Sequence, residues 1–253
     1  MNNPPKTAII ACGVLDAEIE HYAKGLQNIV HLEFLRQGLH NDPPKLRSEL
    51  QVAIDRVEAQ VPQAEYIVLG YGLCSRGTEN VTAQRCTLVM TRAHDCITLL
   101  LGSKEKYADY VSQHPGTYWY SPGWNKYHTP PGKERYDKLY NQYIEQYGQD
   151  NAEFLMETEQ HWFTTYDRAT YVDLGVAVTE NDLSYTKGCA DWLKWNYDRQ
   201  HGNPELLCTL LSGPWDEERF VVVPPGQTIR MTSDSRVCET CKFSKKRECN
   251  GHA

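Results

Sequence analysis

Short apolar runs alternate with helical stripes through the first half of the chain. Thr7 to Ala11 (TAIIA), bounded by Pro4-Pro5 and by Cys12-Gly13, predicts a fully buried strand. Leu15, Ile19 and Tyr22 then recur at helical spacing and stop at Gly25, and a second strand is expected over 29–35. Asp42-Pro43-Pro44 gives an N-cap followed by proline in the first turn. Behind it Leu46, Leu50, Ala53, Ile54, Val57 and Val61 form one helical stripe. Tyr66 to Gly70 (YIVLG) and Cys86 to Met90 (CTLVM) predict two more buried strands, 97–111 a helix, and 117–120 a fifth strand. Such alternation predicts an α/β fold: a mostly parallel sheet, doubly wound and Rossmann-like, with helices on both faces.

The second half repeats the style as a second α/β lobe. Helices are expected at 133–147, with Tyr136, Leu139, Tyr140, Tyr143 and Ile144 periodic, and at 151–164, before a strand at 169–174. A Trp-rich helix over 189–197, a short helix over 204–211 and a strand over 220–223 follow. Pro122, Gly123, Pro130, Pro131 and Gly132 mark 121–132 as the boundary. The expected organisation is therefore a cysteine-bearing lobe at 1–121, a second lobe at 122–231, and a cysteine-rich basic tail at 232–253.

Composition narrows the class. With 253 residues, 40% hydrophobic and 23% charged, the chain suits a globular protein with a substantial core. The longest apolar run, Ile97 to Leu101 with Thr98 inside it, is far too short for a bilayer. The first residues lack a basic then apolar signal pattern, so a cytoplasmic protein without membrane contact is expected. A net charge of -7 disfavours nucleic acid as a partner. Only the tail is basic: Arg236, Lys242, Lys245, Lys246 and Arg247 stand against Glu239 and Glu248.

Nine cysteines change the picture, because a reducing compartment keeps thiols free and turns attention to metal or redox chemistry. Three of them follow predicted strands: Cys12 directly, in IIACG, Cys74 in the loop GYGLCSRG and Cys96 in TRAHDC. In an open parallel sheet, ligands bind where the loops converge beyond the carboxyl strand ends. Three thiolates there bind zinc with one open, catalytic position, or an iron–sulfur cluster with one iron free for substrate. His94 is the candidate fourth ligand or proton carrier, and His40 lies beyond the second strand. A helix N-terminus at Cys96 is expected to lower its thiol pKa. In the metal-free alternative, His94 and Asp95 activate Cys96 as a nucleophile. Gly13, Gly72 and Arg76 are candidate contacts to a bound group, and Arg92 a candidate partner for an anionic substrate. Cys86, Cys189 and Cys208 fall within elements and are assigned to the core. In the tail, Cys238, Cys241, Cys249 and His252 form C-x2-C-x7-C-x2-H, a spacing suited to zinc or an iron–sulfur centre, with an unoccupied basic tail as the alternative. No dinucleotide fingerprint or phosphate loop is found.

The blocks ACGVL with Glu18, Leu39-His40, YGLC at 71–74, RAHDCI at 92–97, LLLGS at 99–103, Gly116-Thr-Tyr and Gly123-Trp124 carry a resemblance. At these blocks the chain resembles an uncharacterised domain-of-unknown-function family of anaerobic bacteria and methanogenic archaea. Its members are often encoded near corrinoid-dependent methyltransferases. The resemblance implies anaerobic one-carbon metabolism, a corrinoid methyltransferase partner, and no particular reaction. The expectation is a metal- or iron–sulfur-binding protein, enzymatic in its leaning, acting on a small anionic or methylated substrate. Its alternatives are a non-catalytic accessory delivering metal or cofactor to the methyltransferase, and a thiolate enzyme using Cys96.

Overall fold

The computed structural model describes residues 5–242. In chain order these form β1 (Thr7–Cys12), α1 (Asp16–Ala23), β2 (Ile29–Leu35), α2 (Pro43–Gln60), β3 (Tyr66–Gly70), β4 (Thr87–Thr91), α3 (Ile97–Leu101) and α4 (Lys104–Gln113). Next come β5 (Thr117–Tyr120), α5 (Pro122–Tyr127), α6 (Lys133–Tyr147), α7 (Gln149–His161), β6 (Arg168–Asp173) and α8 (Glu180–Leu193). The series ends with β7 (Asn196–His201), α9 (Glu205–Ser212), β8 (Phe220–Val223), β9 (Gln227–Met231) and β10 (Cys238–Lys242).

This mixed α/β chain divides into two compact units. Among the described residues one comprises 5–12, 22–96 and 208–242; the other comprises 13–21 and 97–207. The expected lobes 1–121 and 122–231 do not coincide with these units, because chain segments from both ends complete the first. Residues 121–132, expected as a linker, instead contain α5, which Ser121 caps by accepting from the Trp124 N–H through Oγ at 3.1 Å.

The first unit is built on a five-stranded sheet in the order β2-β1-β3-β4-β8. Its first four strands are parallel, and β8 pairs antiparallel with β4. Burial explains the strand sequences: all six residues of β1 are buried, so the run is apolar rather than alternating. α2 starts where Asp42 accepts from the Lys45 N–H, and its stripe Leu46, Leu50, Ala53, Ile54 and Val57 is fully buried. The chain leaves β1 to one side for β2 and returns to its other side for β3, which places a reversal of strand order between β1 and β3. Beyond Met231, where only a tail was expected, β10 folds back antiparallel on β9.

The second unit holds a separate parallel sheet, β5-β6-β7. The strand at 117–120, expected as the fifth member of the first sheet, belongs here. Two helices also differ from expectation. The 97–111 segment breaks into α3 and α4 at Gly102 (φ 90°) and Ser103, whose hydroxyl accepts from the Lys106 N–H. The expected helix over 189–197 ends at Leu193 because Lys194 turns left-handed (φ 59°), and the chain re-emerges as β7.

Among the described residues no helix is long and apolar enough to cross a membrane.

Candidate functional site

Cys12 is the last residue of β1, while Cys74 and Cys96 lie in the loops beyond β3 and β4. The last two are brought together by a short backbone ladder that prolongs the β3–β4 pairing. Leu73 donates its N–H to Ala93 O at 2.8 Å and Cys74 to His94 O at 2.9 Å. Gly72 makes this approach possible, since a Cβ there would lie 2.8 Å from both Ala93 O and Asp95 N. Its role is loop-to-loop packing. Gly72→Ala is expected to cost about 1–3 kcal/mol by forcing backbone apart, read as a lowered melting temperature.

Cys74, Ser75 and Arg76 all take positive φ, at 45°, 56° and 69°. Three successive non-glycine residues in this region are costly, roughly 1–2 kcal/mol each, and such a turn persists only where its surroundings over-determine it. Here α2 does so. Arg47 donates to Arg76 O at 2.9 Å and to Glu79 O at 2.6 Å, and Gly77 packs against Leu46. The turn closes with the Gly77 N–H on Cys74 O at 3.0 Å.

The three thiols share one electrostatic neighbourhood. Burial raises the Cys96 pKa well above the ordinary thiol value, and negative charge at Cys74, Cys12 and Asp95 adds to it. Cys74 is likewise raised by burial, then by Cys12 and Asp95. The expected lowering of the Cys96 pKa by a helix N-terminus is therefore overturned: α3 is only five residues long, and enclosure outweighs it. Among the described residues no group of three His, Cys, Asp or Glu side chains is positioned to hold a metal ion as it stands.

Tyr71, quoted in the YGLC block without a role, is the residue that sequence reasoning missed. It is 2% exposed, and its hydroxyl has no hydrogen-bond partner among the described residues. Burial drives its pKa well up, followed by the charges of Cys12, Cys74 and Cys96. A phenol is normally paired when buried, so this hydroxyl marks the thiol cluster as a place where a polar group is unmet.

The other candidates fall in several places. Asp95 is half-buried beside the thiols, and the charge it carries reaches His40, whose pKa burial lowers and Asp95 partly restores. His94 is exposed. Arg92 is spent on structure: Nε donates to Glu217 O at 2.8 Å and Phe220 O at 3.1 Å, and Nη1 to the carbonyls of Arg236 and Cys238. Arg76 pairs with buried Glu79, whose other oxygen accepts from the Met231 N–H at 2.7 Å. Gly13 is buried in a 3₁₀ turn after β1. Cys86 is core, its thiol donating to Ala64 O at 3.3 Å, and Cys189 is buried. Cys208 is half-buried.

The tail set is divided. Cys238 and Cys241 are three residues apart on β10, so strand geometry sends their side chains to opposite faces. Cys238 is buried and Cys241 half-exposed, accordingly. Cys249 and His252 lie outside the described residues.

The sequence profile of a family described as "Protein of unknown function (DUF1638)" matches residues 34–211, well over half of the chain. The chain belongs to the DUF1638 family. No curated protein and no solved structure matches it. The DUF1638 match contains His40, Tyr71, Cys74, Asp95 and Cys96, while Cys12 precedes it.

Proposed function

We propose that the first unit of this DUF1638 protein binds a thiophilic metal ion or an iron–sulfur cluster through Cys12, Cys74 and Cys96, leaving one position for substrate. The observations that support the reading are the placing of three thiols at the strand exits beside the reversal of strand order, within electrostatic reach of one another, and the orphaned Tyr71 hydroxyl in the same neighbourhood. The order β2-β1-β3-β4 supports a doubly wound, Rossmann-like reading of the sheet, in which ligands sit outside the carboxyl ends at that reversal. The strained turn at 74–76 supports a site whose geometry is worth its cost. Binding must draw the sulfurs inward, and the ion itself provides the force: thiols that stay protonated through burial and mutual repulsion ionise when a cation stands between them.

These same thiol environments weigh against the metal-free reading, in which Cys96 needs a depressed pKa to act as a nucleophile at neutral pH. Three sulfur ligands leave a coordination position open, and an open position is the mark of a catalytic centre. Tyr71 is then placed to donate a hydrogen bond to a sulfur or to a bound substrate, and Asp95 with His40 to hold a proton nearby. When bound, the metal supplies Lewis-acid or redox chemistry. The resemblance to proteins of anaerobes adds the wider setting: cytoplasmic, in one-carbon metabolism, with a small anionic or methylated substrate and a corrinoid methyltransferase as partner.

Elemental analysis and an anaerobic absorbance spectrum of freshly purified protein test the reading. Zinc at about one equivalent per chain supports a mononuclear site, and iron with broad visible absorbance supports a cluster. Protein that holds no metal after anaerobic purification and metal reconstitution, yet alkylates rapidly at Cys96, overturns it.

A further inference from the structure

The second unit holds its own set of unmet polar atoms near the carboxyl end of its sheet. Tyr171 and Asp173 lie two apart on β6 and share a face, and Arg199 stands opposite Tyr171 on β7. Asp173 is fully satisfied, accepting from Arg199 Nε at 3.0 Å and from the Gly175 N–H at 2.9 Å. Tyr171 is fully buried, and its hydroxyl has no partner among the described residues.

Glu18, on α1, is 0% exposed, and neither of its carboxylate oxygens has a partner among the described residues. Repulsion from Asp16 and Asp173 reaches it, and its own charge reaches Tyr171. A third acceptor comes from α5, which packs so closely on the turn before α1 that a side chain at Gly123 would strike Val14 O. There Asn125 donates through Nδ2 to Thr186 at 3.1 Å, leaving Oδ1 without a partner. Thr186 in turn donates to Asp182 O, and the Asp182 charge also reaches Tyr171.

Charge balance identifies what is missing. Asp173 has Arg199, and Asp16 has Lys126 at 2.7 Å and the Tyr127 hydroxyl. Glu18 is the carboxylate of this group without a cation of its own. Its two oxygens, Asn125 Oδ1 and the Tyr171 hydroxyl call for N–H donors and one positive charge.

We propose that these buried groups of the second unit bind a small organic cation, an ammonium or guanidinium group, with Glu18 as its counter-ion and Tyr171 and Asn125 as further hydrogen-bond partners. An ammonium brings three N–H donors and a guanidinium five, enough for the acceptors present. A hard divalent ion asks for about six oxygen ligands, whereas Asp173 is already engaged by Arg199 and the Gly175 N–H. A buried carboxyl without a donor is costly, which is the reason to expect a ligand rather than a packing element.

The full chain is titrated at pH 8 with methylammonium, ethanolammonium, guanidinium and magnesium chlorides, followed by calorimetry and thermal shift. At least one organic cation is expected to saturate a single site and raise the melting temperature. Glu18→Gln is expected to weaken that binding at least tenfold, and Tyr171→Phe severalfold. If no organic cation saturates, if both variants bind like the parent, or if only magnesium binds, the proposal is wrong. Should Glu18→Gln fail to fold, Tyr171→Phe alone decides. Cys74→Ala is expected to leave this binding unchanged, so failure here and failure of the thiol site are distinguishable.

Discussion

Cys74→Ala or Cys96→Ala is expected to abolish metal binding at the proposed centre while the chain stays folded, and Cys86→Ala to leave metal content as it was. The contrast is expected because Cys74 and Cys86 are buried and Cys96 half-buried, yet only Cys74 and Cys96 belong to the neighbourhood shared with Cys12 and Tyr71. Truncating a buried thiol costs on the order of 1 kcal/mol through the small void it leaves. That cost is common to all three variants and cancels in the comparison. Losing one of three sulfur donors, by contrast, removes a large share of the binding free energy, which for structural thiolate sites amounts to about 10–16 kcal/mol. Metal per chain, measured on protein whose melting curve shows it folded, is the readout. Equal metal in Cys74→Ala and Cys86→Ala sinks the assignment.

The second large effect concerns Glu18 and pH. Burial, with repulsion from Asp16 and Asp173, outweighs the opposing pull of its own backbone N–H and of Lys126 and pushes its pKa from 4.5 to about 7. Below pH 4.5 the folded and unfolded chains both carry the proton, and the stability is fully present. Between 4.5 and about 7 the folded chain keeps a proton that the unfolded chain has released, so stability falls by about 1.4 kcal/mol per pH unit from this group alone. The loss totals on the order of 3 kcal/mol at pH 8. Glu18→Gln removes the ionisation and is expected to melt higher than the parent at pH 8, with the gap closing towards pH 4.5. A gap that does not change with pH means that Glu18 titrates normally.

Much of the first sheet was legible because β1, β3 and β4 are buried along most of their length, which forces continuous apolar runs, and because Asp42-Pro43 announces α2 without ambiguity. Which sheet a strand joins is written in no local pattern. β5 looked like a fifth neighbour of β4, and only its pairing with β6 separates it. β7 (NYDRQH) is not foreseen, its first two residues falling in the expected helix over 189–197 and the rest in no element, because an edge strand of polar residues, all half-buried or exposed, offers no apolar alternation. The hairpin of β9 and β10 was invisible for the same reason, and its discovery explains Arg92, whose donors are taken by backbone carbonyls rather than offered to a substrate. At the site, the cysteines were found from their places at strand exits. Tyr71 and Glu18 were quoted in the matching blocks without a role, since an aromatic beside a strand reads as core and one glutamate in a short helix reads as surface. Only their unmatched hydrogen-bonding atoms set them apart.

The antiparallel β8 closes the free edge of β4 from far along the chain. During synthesis, roughly 130 residues must be added after β4 before its partner leaves the ribosome, a delay on the order of ten seconds at ordinary elongation speeds. Throughout that interval the nascent chain shows an apolar strand border to its surroundings, open to pairing with other polypeptides. Production at low temperature or with chaperones in excess should therefore raise the yield of native protein more than a change of buffer after lysis.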